Sequence, residues 1–169
     1  MLEATIELLR ESPFDIITID AVAQRAAVSA STAAWLLSSK SDLIVEICLR
    51  RIRDVALSTD LAHGSIARVA AQLSRMMLVV GEEPAVASAC AAVFLDSSPT
   101  TDLAREQISL EIHRLMATAL GSGSWPEVVN TLELVFSGAL IQAAAGTMTF
   151  RRAADRVETA VSLILEGVP

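Results

Sequence analysis

A chain of 169 residues with 53% hydrophobic residues and only 7 glycines and 5 prolines has the apolar material for one sizeable core and few of the turns an all-β chain requires. Its net charge of −7 and pI near 4.8 argue against a protein that coats nucleic acid or anionic membranes without selectivity. No basic-then-apolar leader follows Met1 and no uncharged run reaches the ~20 apolar residues of a bilayer span, which points to a cytoplasmic protein without membrane contact.

Helical periods follow one another along the chain. Leu2, Ile6 and Leu9 give a first helix its apolar face, and "SPFD" at 12–15 ends it, because Pro13 has no N–H to donate. Thr18 is placed to cap a helix carrying Val22 and Ala26, and Ser29 to cap the next, so that two short helices meet at a tight turn. From Ser41 the pattern of Leu43, Ile47 and Arg50 predicts a long connecting helix to about Ser58, followed by the "STDLAHGS" loop. Ile66, Val69, Leu73, Met76, Met77 and Val80 then share one face of a helix that Gly81 and Pro84 break. Further helices are expected over 84–95, 101–120, 126–148 and 150–166, with loops in the Ser, Thr and Pro cluster at 96–102 and at "GSGSWP". The expected architecture is all-α, about nine helices, with a small head over 1–45 and a helical body over 46–169.

The helix predicted at 126–148 is apolar nearly all round and must be covered on both sides. Its small residues allow close approach, so a second copy of the chain is the expected cover. Val135, Gly138, Ala139, Gln142 and Ala143, with Val157, Val161 and Ile164 of the last helix, are the expected homodimer seam.

Catalytic and metal chemistry find little to stand on. His63 and His113 lie about fifty positions apart, Cys48 and Cys90 lack CxxC or ligand spacing and read as two buried thiols, and no Walker loop, nucleophile elbow or HExxH motif occurs. No cofactor is expected. The body offers Met76, Met77, Phe94, His113, Met116, Asn130, Phe136 and Gln142 as residues whose types suit a pocket for an apolar small molecule; methionines at helical spacing are equally core residues.

Residues 1–47 resemble the DNA-binding head of the tetracycline-repressor (TetR) family of bacterial regulators. "MLEATIELL" is similar to the first helix of that head, "FDIITIDAVAQRAAVS" to the second and its turn, and "SSKSDL" at 38–43 to the start of the fourth. The resemblance implies a helix-turn-helix, a double-stranded DNA operator as partner, and a repressor released by an apolar effector. Carried onto this sequence, Ser29 caps the reading helix, Ala30, Ser31 and Thr32 face base edges, and Thr18, Arg25, Trp35 and Lys40 hold the backbone. Arg25 and Lys40 are the two cations there, and two per head imply a slope of log K against log salt near about −3.6 per dimer.

The sequence also departs from the family pattern. Ala27 stands where the family has Gly in the turn, Ser31-Thr32 replace a Gly-Thr pair, Ala34-Trp35-Leu36-Leu37 replace an aromatic run, and Ser38 replaces Pro. Trp35 has two readings, a groove or backbone contact and an aromatic packed against the fourth helix. The basic arm that usually precedes the first helix is not among these residues, since Met1 already resembles a position inside that helix. Residues 1–50 carry four basic against seven acidic side chains, a net −3. The alternative is therefore a helical dimer of the same architecture that has lost DNA reading and serves as a ligand-binding or interaction module.

Overall fold

The computed structural model describes residues 1–55, 64–121 and 125–167, and these form nine helices without a strand. Helix α1 (Leu2–Glu11), α2 (Ile19–Arg25) and α3 (Ala30–Leu36) precede the longer α4 (Lys40–Asp54). They are followed by α5 (Ser65–Gly81), α6 (Pro84–Leu95), α7 (Pro99–Leu120), α8 (Pro126–Ala144) and α9 (Phe150–Glu166). Three of the last four begin with proline at the first helical position, where a missing N–H costs nothing. The stretch at 96–102 is thus only half a loop: Pro99 opens the helix, two residues ahead of the expected start.

The local signals work as their chemistry predicts. Thr18 Oγ1 accepts the Ala21 N–H at 3.1 Å and Ser29 Oγ accepts the Thr32 N–H at 3.1 Å. Asp42 of α4 accepts the backbone N–H groups of Ser38 and Ser39 at 2.9 and 2.8 Å, so the first turn of that helix is closed by its own side chain.

Two predicted helices are too long. Helix α4 stops at Asp54, where Val55 turns extended (φ −70°, ψ 104°); the predicted end at Ser58 and the loop with His63 lie outside the described residues. Helix α8 stops at Ala144 rather than Met148. There Gly146 takes φ +75°, its N–H reaches Ala143 O at 3.0 Å, and the Thr147 N–H reaches Gln142 O at 3.0 Å. This is a glycine-centred C-cap, and it outweighs the apolar pattern that continues past it.

Helix α2 ends in the same motif without the glycine. The Val28 N–H reaches Ala23 O at 2.9 Å, the Ala27 N–H reaches Gln24 O at 3.2 Å, and Ala27 sits at φ +53°. An L-residue in this left-handed region is strained by roughly 1–2 kcal/mol, part of which a glycine would return as extra freedom of the unfolded chain. Ala27→Gly is therefore expected to stabilise the fold by about 0.5–1 kcal/mol and raise Tm by about 1–4 °C. A calorimetric scan showing an unchanged or lower Tm would remove strain from the description of this turn.

The core is continuous from head to body. Ile44, Ile47 and Cys48 of α4 join Leu73, Met76 and Met77 of α5, Ile108, Leu115 and Met116 of α7, and Leu132 and Phe136 of α8 in one buried cluster. Helix α5 packs most extensively on α9, and at the crossing any Cβ on Gly81 would collide with the Phe150 ring. Cys48 and Cys90, distant in sequence, meet where α4 crosses α6 as buried free thiols. A hydrogen bond between them, together with burial, pushes the Cys48 thiol well above its ordinary range. Among the described residues no single helix is long and apolar enough to cross a membrane.

Candidate nucleic-acid interface

Helix α3 is held by one side chain and presents the rest. Ala33 is fully buried against the head, while Ala30, Ser31, Thr32, Ala34, Trp35 and Leu36 are exposed. With 3.6 residues per turn, Ser31 and Trp35 stand opposite Ala33, Ala30 and Ala34 share one flank, and Thr32 and Leu36 the other. The hydroxyls of Ser29, Ser31 and Thr32 form a small cluster, Ser29 Oγ lying 3.0 Å from Ser31 Oγ and 2.8 Å from Thr32 Oγ1. Ser29 is thus both cap and organiser.

Trp35 is 84% exposed. It does not pack against α4, so the reading of an aromatic packed on that helix is corrected: the ring faces outward.

The cations are placed differently from the expectation. Lys40 is turned inward: its ammonium donates to the backbone carbonyls of Phe14, Asp15 and Ile17 at 2.8, 2.9 and 3.2 Å and lies 4.6 Å from the Phe14 ring centroid. All three donors are engaged in tying the α1–α2 connection to the start of α4. Lys40 is thus a strut of the head in the DNA-free chain. Arg25 is likewise engaged, donating to Glu11 at 2.9 and 2.8 Å and to Glu7 at 3.4 Å. The hydrogen bonding to Glu11 is the main cause that raises the guanidinium further above its ordinary range, and Arg25 in turn holds the Glu11 carboxyl below the usual one. The signals for both pairings were present in sequence, as Glu7 and Glu11 one turn apart on α1 and as a lone lysine at a helix start, but their partners lie 14 to 26 positions away.

The remaining cations of residues 1–50 are also paired. Arg10 of α1 meets Glu83 ahead of α6, which fastens head to body, and Arg50 meets Glu46 one turn earlier at 2.6 Å. Further along α4, Arg53 lies 3.5 Å from Glu111 of α7, which also receives Arg114.

In the body, the expected pocket residues are divided between core and surface. Met76, Met77, Met116 and Phe136 are fully buried, Phe94 is half-buried, and His113, Asn130 and Gln142 are exposed. His113 Nδ1 lies 2.6 Å from Glu133 Oε1 across α7 and α8. A residue that sequence reasoning passed over is Gln72, buried on the apolar face of α5 one turn before Met76, with its Nε2 unpartnered. Its signal was an amide at helical spacing among Val69, Leu73 and Met76.

The expected seam is also divided. Ala143 and Val161 are buried in the chain's own core and are corrected to that role, because the α8–α9 pairing consumes those faces. Val135, Gly138, Ala139, Gln142 and the buried Val157 do come together, with Leu134, Met148 and Arg156, around an open cleft of about 300 Å³. Ile164 is half-buried nearby on α9. Leu134 and Leu163, 74% and 70% exposed, are the large apolar groups that this surface adds.

No family model matches the chain. Helix-turn-helix (HTH)-type transcriptional regulators of Mycobacterium tuberculosis and Mycobacterium bovis, both described as uncharacterized, are 40% identical to it over 169 residues, spanning 99% of this chain and 79% of each relative. A TetR transcriptional regulator from Rhodococcus sp. RHA1 superposes with a TM-score of 0.81 at 21% identity, over 99% of this chain and 94% of that one. A TetR-like regulator from the same source follows at 0.65 and 17%, with the same coverage. The solved structures show that the fold is that of the TetR regulators, and the identity to the mycobacterial proteins along nearly the whole chain shows the family: this protein belongs to the HTH-type transcriptional regulators.

Proposed function

We propose that the chain is a homodimeric, operator-binding regulator, with residues 1–45 as the reading head and 46–169 as the body, and that an apolar small molecule releases it from DNA. The observation that carries this reading is α3 itself, a capped helix with six of its seven residues exposed behind the α2 turn. Such exposure makes sense for a helix that lies in a groove. Gln72 supports the effector: a buried amide beside Met76 whose Nε2 has no partner is an anchor for one hydrogen-bond acceptor on an otherwise apolar ligand. An effector need favour the DNA-free state by only about 1.4 kcal/mol to change operator affinity tenfold.

One observation favours the second reading, a dimer of this fold without DNA reading. Each of the four basic side chains in residues 1–50 is engaged within the chain, so none stands ready for phosphate. Selection from random duplexes at low salt separates the two. A regulator enriches a palindrome, and hydrophobic compounds displace the enriched duplex. Failure to enrich any duplex, while the protein remains folded and dimeric, makes the DNA-silent dimer the better account.

A further inference from the structure

The chemistry of α3 restricts what the reader is able to recognise, an inference that rests on the DNA-binding reading above. Bidentate readout of guanine requires Arg or Lys, of adenine Asn or Gln, and cytosine is marked by an accepting carboxylate. Helix α3 has none of these, its sequence being ASTAAWL. Arg25 and Lys40 flank it but are tied to Glu11 and to the Phe14, Asp15 and Ile17 carbonyls. Gln24, an exposed amide shortly before the turn, belongs to α2, the helix that crosses the phosphate backbone in this motif.

What remains on the outward face is two hydroxyls and a set of apolar groups. Ser31 and Thr32 sit in the hydroxyl cluster around Ser29, and a hydroxyl that donates or accepts discriminates weakly among bases. The methyls of Ala30 and Ala34 and the ring of Trp35 are exposed together, 84% in the case of Trp35. One base-edge feature of the major groove is complementary to a methyl or a ring, and it is the 5-methyl of thymine.

The geometry points to a thymine-methyl reader: Ala30, Ala34 and Trp35 select T·A pairs in each half-site by apolar contact, with Ser31 and Thr32 fixing the depth of the helix in the groove. Recognition of this kind is an area effect. It is insensitive to salt and lost when the methyl is removed, even though base pairing is intact.

The test begins from the duplex enriched by the full-length protein. Each thymine is replaced in turn by deoxyuridine, which keeps the Watson–Crick edge and deletes the methyl, and affinity is read by fluorescence anisotropy. Each contacted thymine is expected to cost about fourfold, the factor for burying one methyl-sized group. In Ala34→Gly the penalty at one position per half-site should vanish, with circular dichroism confirming the helices. Should the glycine unfold the head, Ala34→Ser serves in its place, since its hydroxyl replaces the apolar contact without loosening the helix. An enriched duplex whose affinity is unchanged by uracil at every position, or whose half-sites are read at G·C pairs, overturns the methyl reader and leaves DNA binding intact. If nothing is enriched, both fall together.

Discussion

Replacing Lys40 with methionine is expected to lower the Tm by roughly 5–10 °C and to leave the salt dependence of DNA binding unchanged. The ammonium donates to three backbone carbonyls, and hydrogen bonds from a charged donor contribute about 1.5–3 kcal/mol each when shielded. Two of the three are partly buried and the third faces solvent, where its acceptor rehydrates, and the Phe14 ring adds a contact of about 0.5–1 kcal/mol. Lys40 is only half-buried, so solvent screening reduces the two shielded bonds to about 1 kcal/mol each, and a net loss of about 2–3 kcal/mol follows, at roughly 2–4 °C per kcal/mol for a chain of this size. The slope expected from two cations per head was about −3.6; with Arg25 and Lys40 both engaged, the slope should be shallower than that in the parent and in the variant alike. A Tm within about 1 °C of the parent, combined with a flattened slope, would return Lys40 to the phosphate contacts.

The second large effect concerns the dimer. Ala143 lies in the core, so a carboxylate there would unfold the subunit and say nothing about association. Ala139 shares its cleft with Arg156, which would partner a new carboxylate. Leu134→Asn and Leu163→Asn avoid both difficulties, because a neutral amide forms no ion pair with the Arg156 beside each site and these side chains are already 74% and 70% exposed in the single chain. A symmetric interface carries each change twice. Two amides buried in an apolar seam, with the lost apolar burial of two leucines, should weaken association by about 4 kcal/mol, roughly a thousandfold in Kd. Sedimentation velocity at micromolar concentration should show a dimeric parent and monomeric, folded variants. A monomeric parent, or two variants as dimeric as the parent, would take the α8–α9 surface out of the proposal.

What the sequence made legible was local chemistry. Thr18 and Ser29 announce their helices because a side-chain cap acts within three residues, and Pro84 and Pro126 open helices for an equally local reason. The end of α8 was in reach as well, since Gly146 marks it, but an apolar pattern that runs on past the glycine conceals the stop. Contacts between distant segments were not legible. Nothing near Lys40 or Arg25 in sequence reveals that each is already partnered, and the pairing of Cys48 with Cys90 depends on the crossing of α4 and α6. Apolar periodicity shows that Val157 and Val161 are buried but not against which partner. It was therefore blind to the difference between a core face and a seam.

A head whose three cations, Arg10, Arg25 and Lys40, are all engaged within the chain has a kinetic consequence. Proteins with basic surfaces find a target by first adhering anywhere along a duplex and then sliding or hopping to the site, a search sustained by counterion release. With its charges internally compensated, this head has little non-specific affinity to sustain that search. Encounters should be three-dimensional collisions at the neutral rate of about 10⁵–10⁶ M⁻¹s⁻¹ rather than the 10⁸–10⁹ M⁻¹s⁻¹ of electrostatically guided partners. Occupancy of a genome would then be set by residence time at matched sites, with few molecules held in reserve on bulk DNA.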